Sequence, residues 1–300
     1  FRRVLFRSEE VFSLLFESEQ ALDPRGQAMN VTVLFSDIRN FTTPEMFAEL
    51  SMQVKERGAA SQRTEVVSVE SELVEAVVEG SEGLLAHVRT GQVVVDLSTA
   101  AVQSTQRIAR QFADLGAKFI DAGISGGAAA AEKGTLTLMV GGDKAAVDQL
   151  SPLFKPFSAK VVYMGESGAG HTTKLLNNFL NAVSLAATAE VMVAGKKAGL
   201  DLHQLLDVLN SSSGVNFATL NRFPHIVDGD YLEGGLTGKL MTKDIVLYAE
   251  LAGELGVASL NTAGPLASFG LATALGYGDQ ISNRVVDAIG DASGGVRVNG

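Results

Sequence analysis

Two textures of hydrophobic and polar positions divide the chain. Up to about residue 164, short apolar runs alternate with amphipathic stretches. QVVVDLST carries a near-continuous apolar run from Val93 to Leu97 that ends in Asp96, Ser98 and Thr99. AKFIDAGISGG places a second run at 117–121 before a polar, glycine-rich end, TLTLMVGG a third at 135–142 and AKVVYMG a fourth at 159–164. Further upstream, VTVLFSDIRNFTT at 31–43 reads as a short strand ending in Asp37, and EVVSVES, from Glu65, as a strand with a turn. Short helical pieces are expected at Leu73–Gly80 and Gly83–Val88, and a polar helix or linker at 44–63. A helix over 101–115 directs Ala101, Ile108, Ala109 and Phe112 inward, and Asp143 opens another. Strands alternating with helices predict a mainly parallel sheet covered by helices. In such sheets ligands sit beyond the carboxyl ends of the strands. Two of those ends, Ser98-Thr99 and Ser125-Gly126-Gly127, are small and polar.

From Gly165 the pattern becomes helical. GESGAGHTTKLLNNFLNAVSLAATAEVMVAGKKAG begins as a glycine-rich turn and becomes the longest helix of the chain, 172–197. Leu175, Phe179, Ala182, Ala186 and Ala189 fall on one side, while Leu176, Leu180, Val183 and Ala187 widen the apolar arc, so burial on most sides is expected. Lys196, Lys197 and Gly199 close it with cations at its negative end and a residue free to turn left-handed. Further helices are expected at 202–212, 216–227, 239–255, 262–275 and 280–289, with Asp201 capping the first of these. The fold class is therefore α/β: a Rossmann-like, mostly parallel sheet domain, incomplete or altered at its N-terminus, followed by an all-helical domain. The boundaries are 1–63 for an atypical first segment, 64–164 for the sheet domain, 165–291 for the helical domain and 292–300 for a disordered tail.

Composition narrows the chemistry. The chain has 300 residues, 46% of them hydrophobic, enough for a large core in two domains. A net charge of -10 argues against nucleic acid as a partner. The absence of cysteine excludes disulfides and thiolate catalysis, and four scattered histidines offer no metal-ligand spacing. The uncharged run from Leu255 to Gly278 is long enough to span a bilayer, yet Asn261, Pro265 and its glycines mark it as a buried helical region rather than a membrane span. With no secretory signal evident, the cytoplasm is the expected compartment.

Chemistry concentrates where polar groups interrupt apolar elements. Lys174 and Asn178 are four apart at the start of the long helix and share a face, with Asn177 beside them. A lysine in a partly dry cleft moves protons or holds a developing alkoxide; the alternative is an ordinary surface lysine. Lys243-Asp244, early in an amphipathic helix, is either a surface pair or the closure of a polar cleft. Ser125, flanked by glycines, offers backbone amides as an anion nest, and no histidine accompanies it in a hydrolase triad. GESGAGHTT imitates a phosphate loop, but His171 stands where the lysine is required. Asp37 at its strand end could hold a divalent ion, and residues 31–43 resemble the first metal-binding strand of class III nucleotide cyclases. The second carboxylate that family needs has no counterpart here, and the plain alternative is an ordinary strand.

Taken together, DLST at 96–99, DAGISGG at 121–127, GESGAGHTTKLLNNF at 165–179 and KDIVLYAE at 243–250 resemble the ordered motifs of the β-hydroxyacid dehydrogenases, especially the 3-hydroxyisobutyrate dehydrogenases and tartronate semialdehyde reductases, over about residues 64–289. The resemblance implies NAD or NADP as cofactor and hydride exchange with the β-hydroxyl carbon of a small hydroxy acid. It implies Lys174 as the catalytic acid/base, and Ser125, Gly126, Gly127 and Asn178 as the carboxylate site. Thr99 and Lys243 would contact the cofactor, with Ser98, Asn177 and Asp244 in support. It also implies a homo-oligomer formed through the helical domain.

The departures are specific. Gly123 and Val102 stand where the family usually has proline, which is expected to loosen two turns. Residues 1–63 hold no close glycine cluster for a pyrophosphate, so the first cofactor-binding unit reads as replaced by unrelated sequence. The alternative function is thus a catalytically impaired, truncated or chimeric member without effective cofactor binding.

Overall fold

The structure is a computed structural model, and it describes residues 31–35, 65–68, 74–81, 83–155, 157–233 and 235–300. The chain divides into two compact units, the first ending at Lys174 and the second beginning at Leu175. The division falls later than the 164/165 boundary read from the pattern, and Gly165, Gly168 and His171 are hydrogen-bonded to the sheet strands or their ends.

The first unit is built on a six-stranded sheet of order β2-β1-β3-β4-β5-β6. Its strands are β1 Val31–Phe35, β2 Glu65–Ser68, β3 Val93–Asp96, β4 Lys118–Ser125, β5 Leu136–Gly141 and β6 Ser158–Gly165. β1 pairs in parallel with both β2 and β3, β3 with β4, and β5 with β6. β4 and β5 are antiparallel. An apolar run carries no direction, so the pattern predicted strand β5 and not its reversal. Because β1 lies between β2 and β3, the strand order reverses there, the position at which open α/β sheets leave a crevice for ligand.

Helices α1 Val74–Glu79, α2 Leu84–His87, α3 Val102–Asp114, α4 Gly127–Glu132 and α5 Lys144–Phe154 cover the sheet. Side-chain alternation sorts the strands between two cores. Val93, Val95, Ile120, Leu138 and Val140 pack with Val147, Leu150 and Phe154 of α5, while Val94 and Phe119 pack with Ile108 and Phe112 of α3. Phe112 and Phe119 stack with ring centroids 5.5 Å apart. Asp143 caps α5, its side chain accepting from the Ala146 N–H at 2.8 Å.

The second unit is helical. α6 Ala169–Lys197 begins in the first unit and continues into it, followed by α7 Leu202–Asn210, α8 Phe217–Asn221, α9 Phe223–Val227, α10 Gly238–Glu254, α11 Ala263–Ala274, a 3-10 turn at Ser282–Arg284 and α12 Val285–Ala292. The single helix expected at 216–227 is two short ones, because Asn216 forms a capping box on the first and Pro224 initiates the second. Ala182, Leu185, Ala189, Met192 and Val193 of α6 face a core with Phe223, Met241, Ile245 and Phe269. Burial of α6 on most sides is not what forms: Leu176 is 46% exposed, Leu180 66% and Val191 44%. The tail is corrected as well. Ala292 ends α12, Val298 is buried in the helical core and Lys197 donates to the Ser293 carbonyl at 2.8 Å, so the segment read as a disordered tail at 292–300 is anchored at these points, although Gly294, Gly295 and Arg297 are exposed. Among the described residues, no helix is long and apolar enough to cross a membrane. The reading of 255–278 as a buried helical region is corrected: only Ala263–Ala274 is helical, and Leu255, Val257, Leu260 and Leu275 are exposed.

The packing carries a direct test. Phe112 is fully buried between α3 and the sheet. Phe112→Ala is expected to lower unfolding free energy by about 3–5 kcal/mol, measured by chemical denaturation.

Candidate functional site

The site in the first unit is built where the end of β3 meets the middle of β4. Asp96 and Asp121 are register partners on β3 and β4, and both are buried. Two adjacent buried carboxylates need donors. Asp96 Oδ1 accepts the Ser98 N–H at 2.9 Å. Asp121 Oδ1 accepts the Gly168 N–H at 2.8 Å, and its Oδ2 accepts the His171 N–H at 2.9 Å. Asp121 therefore caps the start of α6 with negative charge where the helix dipole is positive. The backbones come close enough that side chains are excluded: a Cβ on Gly170 would stand 2.4 Å from the Met139 carbonyl oxygen, and one on Gly141 2.8 Å from Asp121 Oδ1. This also explains why GESGAGHTT is not a phosphate cradle. Two of the N–H groups such a loop would offer are already taken by Asp121.

His171 completes the arrangement. Its side chain is fully buried, Nδ1 lies 2.7 Å from Thr105 Oγ1 on α3, and Nε2 lies 3.9 Å from Asp96 Oδ2. Thr105 Oγ1 also reaches the Ala101 carbonyl at 3.1 Å, so the hydroxyl bridges the imidazole and the backbone of its own helix. The imidazole thus joins α6 to α3, while its Nε2, facing the end of β3, has no hydrogen-bond partner among the described residues. Sequence reasoning used His171 only to reject a nucleotide loop and did not single out Asp121. The signal available for both was a carboxylate in each of DLST and DAGISGG, with a histidine in the glycine turn that follows.

The predicted residues sort into two groups, one in each unit. Lys174 is partly buried and follows His171 by three positions on α6. A Cβ on Gly123 would stand 2.5 Å from Lys174 Cβ and 3.1 Å from its Cγ. Gly123 lies inside β4 and is buried, so its role is corrected: it loosens no turn, and its bare backbone admits the lysine stem. Ser125 follows two residues on, on the same sheet face as position 123, and is partly exposed. Gly126 and Gly127 are exposed with φ of 129° and 68°, a backbone that side-chain-bearing residues rarely adopt. Ser98 and Thr99 are both buried, and Ser98 Oγ has no hydrogen-bond partner among the described residues.

In the second unit, Asn178 is buried and its amide is fixed at both ends. Its Nδ2 donates to Asp244 Oδ2, and its Oδ1 accepts from the exposed Asn177 at 3.2 Å. Asp244 is 1% exposed and Lys243 Nζ stands 3.2 Å from its Oδ1, so Lys243-Asp244 is a largely buried pair rather than a surface one. Phe179 and Tyr248 stack beside this group with centroids 3.7 Å apart. Among the described residues no group of acidic or histidine side chains could hold a metal ion; Asp37 lies outside them.

Asp121→Ala removes the acceptor of two buried N–H groups. The expected loss is roughly 1–3 kcal/mol for each orphaned donor, read as a lower denaturation midpoint. Asp121→Asn, which keeps one acceptor oxygen, is expected to fall between the variant and the wild type.

The sequence and its fold match known proteins throughout this region. Residues 27–165 match the family described as the NAD binding domain of 6-phosphogluconate dehydrogenase, and residues 168–289 that described as NAD-binding of NADP-dependent 3-hydroxyisobutyrate dehydrogenase. The first match begins at residue 27, so the reading of all of 1–63 as unrelated sequence is corrected. It also contains β1, a parallel strand of the sheet, which is the ordinary-strand reading of the cyclase-like run. The 2-(hydroxymethyl)glutarate dehydrogenase of Eubacterium barkeri is 30% identical over 292 residues, covering 93% of this chain and 96% of that protein. The L-threonate dehydrogenase of Escherichia coli O6:H1 is 33% identical over 222 residues, covering 74% of this chain and 73% of the other. The crystal structure of a 3-hydroxyisobutyrate dehydrogenase from Salmonella typhimurium superposes with a TM-score of 0.69 at 25% identity, covering 86% of this chain and 99% of that one. With the buried carboxylates, the glycine turn and the lysine-bearing helix inside a match that runs nearly end to end, the chain belongs to the β-hydroxyacid dehydrogenase family.

Proposed function

We propose that the chain is an NAD(P)-dependent dehydrogenase of a small β-hydroxy acid, of the 3-hydroxyisobutyrate type, with Lys174 as its general acid and base. The observation that carries this reading is the position of Lys174. Asp121 pins the start of α6, and the Cβ-free backbone of Gly123 admits the lysine stem next to the strand end that bears Ser125. The relatives act, by their names, on 2-(hydroxymethyl)glutarate, L-threonate and 3-hydroxyisobutyrate, all hydroxy acids.

Each side chain then has one task. The Ser125 hydroxyl and the amides of Gly126 and Gly127 hold the substrate carboxylate, and Asn178, fixed by Asp244 and Asn177, orients it. Lys174 gives its proton to the carbonyl oxygen in reduction and takes the hydroxyl proton in oxidation. Thr99 and Lys243 contact the cofactor, supported by Ser98 and Asp244. When bound, the nicotinamide supplies the hydride chemistry.

The fit to that cofactor is uneven. The strand-order reversal at β1 and the polar end of β3 suit a dinucleotide. The sequence that follows β1, SDIRNFTT at 36–43, contains no glycine to let a pyrophosphate approach the backbone. That observation favours the second reading, a family member with impaired cofactor binding. Titration with NADH and NADPH, followed by nicotinamide fluorescence, separates the two. Saturable binding with turnover of 3-hydroxyisobutyrate, lowered about 10²- to 10⁴-fold by Lys174→Ala at unchanged cofactor affinity, supports the enzyme. No saturable change up to millimolar cofactor supports the second reading.

Assembly through the helical unit belongs to the same proposal. Leu176, Leu180 and Val191 lie along one exposed apolar stripe of α6, with Ala187 between them. A second copy of the chain would cover it. Light scattering is expected to give an oligomer for the wild type and a smaller mass for Leu180→Asp at unchanged helicity; a monomeric wild type at micromolar concentration would count against assembly.

A further inference from the structure

The second unit contains a partly buried cation with no anion beside it among the described residues. Arg222, between α8 and α9, donates from Nη1 to Asn283 Oδ1 at 2.6 Å and to Ser282 Oγ at 3.5 Å, and from Nη2 to Asn181 Oδ1 at 3.0 Å. All three acceptors are neutral. Among the described residues no carboxylate stands within ion-pair distance of it, whereas Arg284 nearby in sequence to these acceptors pairs with both Glu233 and Asp287. Burial pushes the Arg222 guanidinium down to about 10, which leaves it charged at neutral pH. A cation largely withdrawn from water and met by neutral protein oxygens gains from an anion at its remaining open edge.

The holder is rigid. Ser282 and Asn283 are 1% and 2% exposed, and Asn283 Nδ2 is committed to the Tyr231 carbonyl at 2.8 Å, which leaves its oxygen aimed at Arg222. Of the five N–H donors of a guanidinium, Nε has no partner among the described residues and is not sealed from solvent. The ring of Phe217, exposed on α8, lies 5.8 Å from the guanidinium carbon. A fixed planar fork with donors to spare matches a carboxylate.

Asn181, the α6 partner of Arg222, follows Asn178 by three positions, about 4.5 Å along the helix axis. We infer that Arg222, held by Asn181, Asn283 and Ser282, is a second anion subsite that receives the distal carboxylate of a dicarboxylic hydroxy acid. The inference rests on the proposed function for one point, that Asn178 receives the first carboxylate. It makes the preferred substrate a dianion, with the two carboxylates set about one helical turn apart.

The test uses the full chain and two readouts. In kinetics with NADH- or NADPH-coupled turnover, 2-(hydroxymethyl)glutarate is compared with 3-hydroxyisobutyrate, which lacks the second carboxylate. Arg222→Gln is expected to lower kcat/KM for the dianion roughly 10- to 100-fold and to leave the monoanion within about threefold, with Arg222→Lys in between because it restores charge without the fork. Equal losses on both substrates, or none on either, would overturn the subsite while leaving the dehydrogenase reading in place. In cofactor-free thermal melting, glutarate is expected to stabilise the wild type more than butyrate does, and Arg222→Gln to abolish the difference. If no hydroxy acid is turned over but glutarate stabilises in an Arg222-dependent way, the subsite stands and the dehydrogenase reading falls. A wild type that responds equally to glutarate and butyrate sinks the subsite, and this arm needs no variant to fold.

Discussion

The first unit depends on one buried carboxylate. Asp121 interrupts the apolar run of β4 and accepts the N–H groups of Gly168 and His171, so a central strand becomes the anchor for a long helix. The bond is favourable twice over, since it satisfies donors that a helix start leaves open and sets negative charge at the positive end of the dipole. Its geometry demands backbone-to-backbone approach, which Gly141 and Gly170 permit by having no Cβ. The lysine one turn later is therefore located by the sheet rather than by its own rotamer preferences.

The same economy governs the second unit. Asn178 has both ends of its amide engaged, by Asp244 and Asn177, and Asp244 has Lys243 against it. A neutral amide held this way presents a defined orientation to a ligand without carrying a charge of its own. Arg222 is the opposite case: a charge oriented by neutral amides. In one set an anion is already compensated, while in the other the compensation is left to something that binds. That contrast separates the fixed framework of the unit from the part of it suited to recognise a ligand.

The glycines illustrate how a family pattern can be read correctly and explained wrongly. Gly123 in place of a proline suggests a slack turn when only neighbours in sequence are considered. Inside β4 it is the point where the stem of Lys174 crosses the strand, and the loss of the ring creates room instead of freedom. The N-terminal segment teaches the reverse lesson. Its missing glycine cluster is real, yet VTVLF still pairs with the strands on either side of it, because an apolar β-branched run is sufficient to join a parallel sheet. Strand pairing needs only an extended apolar run, whereas close approach of a pyrophosphate needs bare backbone, so the two are separate properties of the same unit.

By itself the sequence determined the succession of strands, most of the helices, the polar ends of β3 and β4, the helical second half and the Lys174–Asn178 spacing, because these follow from local periodicity and from spacing along one helix; α4 and the break between α8 and α9 were not legible in it. Only the tertiary structure decided that β5 runs antiparallel to β4, since an apolar run is the same in either direction. It also decided that α6 leaves Leu176 and Leu180 exposed, that Val298 reaches the helical core, and that Asp121, His171 and Arg222 acquire partners 41 to 66 residues away in sequence. Those are pairings between distant parts of the chain, and no periodicity within a single segment encodes which distant group a polar side chain will meet.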